Sequence, residues 1–310
     1  MSFSIPDQLI ERLEEQFGPE KARLAVMGFT SRPVTLRVNT LKSNDAAVME
    51  IFRKELIQFE RAKGVPHAFI IKNRKAKELL NHQMCLDGLV YLQGLTSMLP
   101  PIVLDPKAGE IIGDFCAAPG SKTSQMAAMV SEGCRELGVG CSVNITAFEP
   151  NFIRRQKLHN TLKIQGAEFV KVQQADSTKL GATMPEAFNK ILLDVPCSGE
   201  GRIDANDDST FETWGDATHQ AYPELQRQLF SSAMAALKPG GTIVYSTCTL
   251  DPEENERIIS WALETYPELV AEKIELPFPG IVHKNTKSIT LLPTNQYEGF
   301  FVAKLKKTQM

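Results

Sequence analysis

A chain of 310 residues with 34 Lys and Arg against 37 Asp and Glu carries a net charge of −3, so it lacks the strong positive field that holds nucleic acid non-specifically. Its 43% apolar and 23% charged residues are those of an ordinary globular protein with enough chain for a full core. No apolar run approaches the ~20 residues that span a bilayer, and no basic start leads into an apolar signal stretch, so a cytoplasmic protein with no membrane partner is expected.

Residues 1–100 show no alternation of strands and helices. Apolar spacing predicts helices over 6–17 and 19–27, an alternating strand over 34–39, and a helix over 44–59. Arg32, Arg37, Lys42, Arg61, Lys63, Lys72, Arg74, Lys75 and Lys77 give this part a mild basic bias, to be read as a solvated face or as a local nucleic-acid surface. Pro100-Pro101 punctuates its end. From Ala108 the pattern changes. Predicted strands over 110–115, 142–148, 168–173, 190–194 and 242–246 alternate with helices over 121–130, 152–164, 222–237 and 252–266. This alternation predicts an α/β protein with a doubly wound, mostly parallel Rossmann-like sheet, preceded by a smaller α+β domain, divided as 1–100 and 101–310. Two further strands, over 288–292 and 299–306, have no helix between them and predict a closing hairpin.

The six cysteines include no CxxC pair, which argues against a metal centre, and a reducing compartment predicts thiols. Cys85, Cys134 and Cys141 read as small buried apolar residues. Cys116, Cys197 and Cys248 instead lie in short loops that each follow a predicted strand, at the carboxyl edge where open α/β sheets place their chemistry.

The first of these loops is Asp114-Phe115-Cys116-Ala117-Ala118-Pro119-Gly120-Ser121-Lys122-Thr123. A phosphate loop with Lys122 as its lysine requires glycine at positions 116 and 121, which hold Cys116 and Ser121. A dinucleotide fingerprint requires three glycines, and only Gly120 is present. What remains is a loop of small residues opening onto the N–H groups of a helix start, where a carboxylate or ribose can approach the backbone. S-adenosylmethionine, with an amino-acid end and a nucleoside but no phosphate, fits that description. Glu149, at the tip of the second strand, is placed to hold ribose hydroxyls, and Asp176, after the third, to reach the adenine amine. The competing reading of both is a local helix or turn cap.

Two further thiols on the same edge fit methylation of cytosine C5. That carbon is a poor nucleophile until a thiolate adds at C6, and a base must then remove the C5 proton so that the thiol can leave. Cys248 suits the nucleophile. Asp251-Pro252-Glu253-Glu254 reads as a capped helix start whose positive end lowers the thiol, while Glu253 and Glu254 push the other way. Cys197 suits the release of product. Asp194 could meet the cytosine N3 edge when protonated, or its exocyclic amine as a carboxylate.

With these residues on the page, the chain resembles the NOL1/NOP2/Sun family of RNA 5-methylcytosine methyltransferases. The resemblance rests on the 114–123 loop, on Asp194-Val195-Pro196-Cys197-Ser198-Gly199, and on Ser246-Thr247-Cys248-Thr249 followed by Pro252-Glu253-Glu254-Asn255-Glu256. Weaker markers are Arg37-Val38-Asn39-Thr40-Leu41-Lys42 and Glu298-Gly299-Phe300-Phe301-Val302-Ala303. The resemblance implies Cys248 as the C6 nucleophile, Cys197 as the thiol assisting release, and Asp194 as orienting the base beside the cofactor. It further implies that Cys116, Ala117, Ala118, Pro119, Gly120, Ser121 and Lys122, with Glu149 and Asp176, hold S-adenosylmethionine, and that residues 1–100 face RNA. A monomer acting on RNA is expected, with a compact tRNA favoured over ribosomal RNA. Residues 131–141 read as an inserted loop, and 203–214 as unusually acidic beside an RNA site. The competing functions are an amino-group methyltransferase, for which the second thiol has no purpose, and an RNA-binding assembly factor built on a methyltransferase scaffold.

Overall fold

The computed structural model describes residues 5–138, 142–211, 214 and 216–309, with the backbone alone for 216–221. Two helices open the chain as the apolar spacing predicts, α1 (Asp7–Phe17) and α2 (Pro19–Gly28). Leu9 and Leu13 of α1 and Ala22 and Ala25 of α2 are buried with Ile203 and Leu250 from the second half of the chain. The helix pair is therefore seated on loops more than 170 residues away rather than detached.

An antiparallel sheet follows, built from β1 (Val34–Val38), β2 (Phe59–Arg61), β3 (Ala68–Ile71) and β4 (Val90–Leu92) in the order β2-β3-β1-β4. Helix α3 (Asp45–Lys54) packs on it, started by the Asn44 side chain accepting from the Ala47 N–H. It stops five residues before the predicted end. Leu56 turns the chain at a φ of +53° and Phe59 enters β2, where its ring meets Phe52 and Phe69. Two short helices, α4 (Ala76–Leu80) and α5 (Gln83–Leu86), lead into β4.

Pro100-Pro101 is not a break. It lies in the first turn of α6 (Leu99–Leu104), where missing N–H groups cost nothing because that turn has no intrahelical acceptors for them. Leu99, Val103 and Leu104 pack with Ile112, Leu192 and Val244, so α6 already belongs to the second core.

The second half contains β5 (Ile111–Asp114), α7 (Ser121–Leu137), β6 (Asn144–Phe148), α8 (Phe152–Gln165), β7 (Lys171–Gln173), α9 (Leu180–Thr183), β8 (Phe188–Asp194), α10 (Asp216–Ala236), β9 (Leu237–Thr247) and α11 (Glu256–Thr265). Four short strands close it: β10 (Leu269–Glu272), β11 (Ile281–Val282), β12 (Ile289–Leu291) and β13 (Phe300–Lys307). The sheet runs β11-β12-β13-β9-β8-β5-β6-β7, with β10 also on β13. Strands β5 to β9 are mutually parallel, and β13 lies antiparallel against β9. The predicted doubly wound sheet and closing hairpin are both present. Of the expected inserted loop over 131–141, residues 131–137 instead extend α7 to Leu137, with Val130 and Cys134 buried along it, and 139–141 lie outside the described residues. Cys134 is disulfide-bonded, against the expectation of thiols throughout, and Cys141 lies outside the described residues. Two apolar cores flank the sheet. In one, Phe115, Phe148 and Phe188 pack edge to face.

Candidate active site

From β5 the chain winds outward through β6 and β7, then crosses back to lay down β8 and β9 on the other side. The crevice at the carboxyl ends of β5 and β8 is thus the topological switch point of the sheet. Three loops meet there, following β5, β8 and β9. The antiparallel β13 begins where β9 ends, with Phe301 opposite Thr247, so it brings Glu298 and Phe300 to the same edge. A cavity of about 360 Å³ opens among them. Cys116, Ala117, Ala118, Pro119, Ser121, Lys122, Asp194 and Cys248 all line it, which gathers most of the sequence-predicted site.

The β5 loop is held from several sides. Gly120 starts α7 at a φ of +106°, a conformation only glycine takes without strain, and a Cβ there would press on Leu158 and Thr161. The Ala117 N–H donates to the Phe148 carbonyl (3.2 Å), tying the loop to the end of β6. Thr123 Oγ1 donates to Asp114 Oδ2 (2.6 Å). Burial drives the Asp114 carboxyl up to about 7, against that hydrogen bond, and the nearby Asp194 charge adds to the rise. Lys122 Nζ donates to Asp194 Oδ2 (2.6 Å) and Ser246 Oγ to Asp194 Oδ1 (2.7 Å), so the start of α7 and the end of β9 fix Asp194 at the tip of β8. Burial opposes the charge on Lys122, but the Asp194 carboxylate outweighs it and holds the ammonium above its ordinary value. Burial, reinforced by Asp114 and Asp194, pushes the Cys116 thiol up, so Cys116 acts here as a small wall residue.

Glu149 sits at the tip of β6 and is buried. Its carboxylate accepts from the Asn151 N–H (2.9 Å) and lies 3.3 Å from Arg154 Nε. Asp176 is not brought to the cavity. It is exposed, accepts from the Thr178 N–H and hydroxyl (3.0 and 2.7 Å), and lies 3.6 Å from Lys179, as the competing cap reading required.

The two thiols meet: Cys197 Sγ and Cys248 Sγ are 3.2 Å apart, and the Cys248 N–H donates to Cys197 Sγ (3.3 Å). Both are half-buried. The Cys248 thiol is lowered, first by the hydrogen bond from Cys197 and then by the Arg202 guanidinium, which together outweigh burial. The Cys197 thiol is raised, by the hydrogen bond it donates to Cys248, by burial and by the nearby charges of Cys248 and Glu254.

The predicted source of the lowering is different from the observed one. Helix α11 starts at Glu256, and the Asn255 that precedes it makes no side-chain cap. Asp251 caps a turn instead, accepting from the Glu253 N–H (2.9 Å). The Glu254 side chain turns inward. It accepts from the Ser198 N–H (3.2 and 3.3 Å) and from Gln226 Nε2 (2.7 Å). Sequence reasoning missed Arg202, Gln226 and Glu298 entirely. The only signal was position, since Arg202 follows the Cys197 motif closely and Glu298 opens the Glu298-Gly299-Phe300 marker. The loop bearing Arg202 is held close by small residues: Gly201 N–H donates to Cys248 O and Gly299 N–H to Gly201 O, each at 2.9 Å, and a Cβ on Gly201 would lie 2.1 Å from Gly299 O.

The basic residues expected to face RNA are partly turned inward. Arg37, 3% exposed, donates to Gln93 Oε1 (2.8 Å), Ser121 O (3.1 Å) and Ser124 Oγ (2.6 Å), locking β1 onto the start of α7. Arg32 donates to four backbone carbonyls and Lys42 to two. A larger cavity, about 840 Å³, runs along α7 beside Arg37 and His67, and of the predicted site residues it holds none.

The cavity fits the expected ligand class. Asp114, Asp194 and Glu298 surround it against Lys122 and Arg202, a donor set that repels phosphates and suits a phosphate-free molecule with cationic centres and hydroxyls. Among the described residues there is no cluster of His, Cys, Asp or Glu suited to a metal ion, and no helix long and apolar enough to cross a membrane.

Comparison with known proteins agrees with this architecture. A family model described as 16S rRNA methyltransferase RsmB/F matches residues 101–306, and one for the ferredoxin-like domain of such proteins matches 5–76. The ribosomal RNA small subunit methyltransferase F of Escherichia coli is 37% identical over 316 residues, covering 98% of this chain and 64% of its own length. The chain therefore spans just under two thirds of the curated relatives it matches. A solved methyltransferase homologue from Pyrococcus horikoshii is 30% identical with a TM-score of 0.82, covering 98% of this chain and 96% of its own. NSun6 from the same organism shares the fold across the whole of both chains (TM-score 0.85, 23% identity).

Proposed function

Because this chain belongs to the family of 16S rRNA methyltransferases RsmB/F, we propose that it transfers a methyl group from S-adenosylmethionine to C5 of a cytosine in ribosomal RNA, through a transient bond from Cys248 to C6. The names of the relatives direct the substrate to ribosomal RNA, in place of the compact tRNA favoured from the sequence. One observation carries the chemistry: the lowered Cys248 thiol lines the same cavity as the 116–122 loop, with a second sulfur 3.2 Å away.

When bound, S-adenosylmethionine supplies an electrophilic methyl group on a sulfonium sulfur. Residues 116–122 and Glu149 would hold it, and Asp176 is given no role. Cys248 attacks C6, which makes C5 nucleophilic. Asp194, ion-paired to Lys122 and bonded by Ser246, is fixed in place to accept from the exocyclic amine of the base. Release requires loss of the C5 proton and cleavage of the bond between C6 and Cys248. Cys197, in contact with the departing sulfur, assists that step. The base has to leave its stack for the sulfur to reach one face of the ring.

Bisulfite or mass-spectrometric comparison of RNA from wild-type and deletion strains is expected to show one or a few ribosomal cytosines losing a methyl group. An unchanged profile counts decisively against the proposal. Cys197→Ala is expected to accumulate a covalent RNA adduct that disappears in the Cys197→Ala, Cys248→Ala double variant. An adduct that accumulates instead in Cys248→Ala alone, with Cys197 intact, reverses the two roles.

A further inference from the structure

We propose that Glu254 and Gln226 are positioning residues that clamp the backbone on both sides of Cys197 and, opposite Arg202, decide which of the two sulfurs is the nucleophile. The inference rests on reading the two sulfurs as a reactive pair. Gln226, fully buried on α10, donates from Nε2 to the carbonyl of Pro196 (2.9 Å) and to Glu254 Oε2 (2.7 Å). Glu254 in turn accepts from the N–H of Ser198. The peptide groups before and after Cys197 are thus held by one buried carboxylate and one buried amide. Glu254 is itself fixed, because its carbonyl accepts from the buried Tyr245 hydroxyl (2.6 Å).

The clamp also makes the pair electrically unequal. Two sulfurs at 3.2 Å in similar burial would share a proton with little preference. Here a carboxylate acts on Cys197 while a guanidinium acts on Cys248. The other groups that act on Cys248 are Asp194, Glu298 and Lys122. Arg202 also acts on Cys197, less strongly than on Cys248, while the Tyr222 phenol acts on both sulfurs and that of Tyr245 on Cys197. A carboxylate disfavours a second negative charge beside it, and a cation favours one. The pair is therefore biased, with Cys248 the sulfur that gives up its proton more readily and Cys197 the one that keeps it. Burial raises the Glu254 carboxyl to about 7, so the clamp carries its full charge only above neutral pH.

The test is peptide-mapped alkylation of the whole chain by iodoacetamide, read as the ratio of initial rates at Cys248 and Cys197. In the wild type at mildly alkaline pH, Cys248 is expected to react about tenfold faster or more. Glu254→Gln keeps the shape and removes the charge, and is expected to bring the ratio to about two or less. The wild-type ratio is expected to fall toward that value as the pH drops below about 7. Gln226→Ala, which withdraws a donor from Glu254 and frees the Pro196 carbonyl, should lower the ratio as well. A ratio that stays within about twofold of the wild type in Glu254→Gln, or in Gln226→Ala should the first variant not fold, overturns the clamp. The measurement needs neither RNA nor methyl donor. A normal response of the ratio with no methyl transfer would sink the proposed function alone.

Discussion

The cation that lowers the Cys248 thiol is a side chain, Arg202, rather than the helix end that the sequence pointed to. Replacing Arg202 with Gln is therefore expected to slow alkylation of Cys248 at neutral pH by about tenfold, the effect of roughly one pKa unit, while Arg202→Lys restores part of the rate. If the charge of Arg202 were irrelevant, the Gln and Lys variants would react alike. Lys122 makes a second prediction. Its side chain is 11% exposed and is paired to an Asp194 that is 27% exposed. Lys122→Met leaves that carboxylate without its cation, at an expected cost of about 2–3 kcal/mol measured by urea denaturation, toward the lower end for buried pairs because Asp194 keeps some solvent. Cys197, Cys248 and Asp194 were legible in the sequence because each sits in a strand–loop motif whose residue types already name the chemistry. Arg202 and Gln226 were not, and Glu254 was read only as a charge at a helix start opposing Cys248. An arginine and a glutamine are ordinary surface residues until folding turns them toward the site.

Strand β5 ends in Asp114, and that buried carboxyl gives the fold a pH dependence. Its folded value of about 7 stands above the ordinary 3.8, and Glu254 behaves alike, rising from 4.5 to about 7. A raised carboxyl means that the folded chain binds more protons than the unfolded chain between those limits. The stabilisation is fully present below the ordinary carboxyl value and is lost as the pH rises through about 7. Asp45 and Asp204 are lowered, Asp45 by His67 and Arg61 against burial and Asp204 by Ser31 and Asn206 against burial, so their contributions are lost only at more acid pH. The urea midpoint is expected to fall between about pH 5 and 8, and Asp114→Asn to flatten that slope. A midpoint that rises over this window would contradict the buried state of both groups. At the same scale, β1 serves the catalytic sheet through Arg37. Arg37→Leu removes three hydrogen bonds to the β4 and α7 regions. It is expected to destabilise the chain by about 2–4 kcal/mol and to weaken binding of the methyl donor. The sequence reading left Arg37 on a solvated face or a local nucleic-acid surface, because a basic residue in an alternating strand carries no mark of which side will be covered. It also misplaced the start of α11. Asp251-Pro252 has the chemistry of a helix cap, but burial of Glu254 against Ser198 and Gln226 holds those residues in a turn.

Across the whole molecule, the N-terminal helices are joined to the site by charge as well as by packing. Arg12 of α1 pairs with the fully buried Glu200 and lies 3.7 Å from Asp251, so one guanidinium touches the loops that carry Arg202 and follow Cys248. Trp214 Nε1 also donates to Glu200 (2.9 Å), and Glu200 reaches the Thr249 hydroxyl (3.2 Å). Arg12→Met is expected to lower kcat for methyl transfer by about tenfold with a smaller change in KM for the methyl donor, since the loops it steadies carry the nucleophile rather than the donor site. A kcat loss that merely matches the fraction of chain unfolded, read by circular dichroism under the assay conditions, would place the effect in general unfolding. The sequence by itself determined the layered α/β plan and singled out Cys197, Cys248, Asp194 and the small-residue loop as candidates for the site. Those follow from local periodicity and from residue types whose chemistry is intrinsic. Only the tertiary structure decided that the sulfurs touch, that Arg202 and Glu254 oppose each other across them, that Asp176 stays outside, and that Arg37 turns inward while most of its basic neighbours stay exposed. These depend on register, burial and close approach between segments far apart in the chain, which no local pattern encodes.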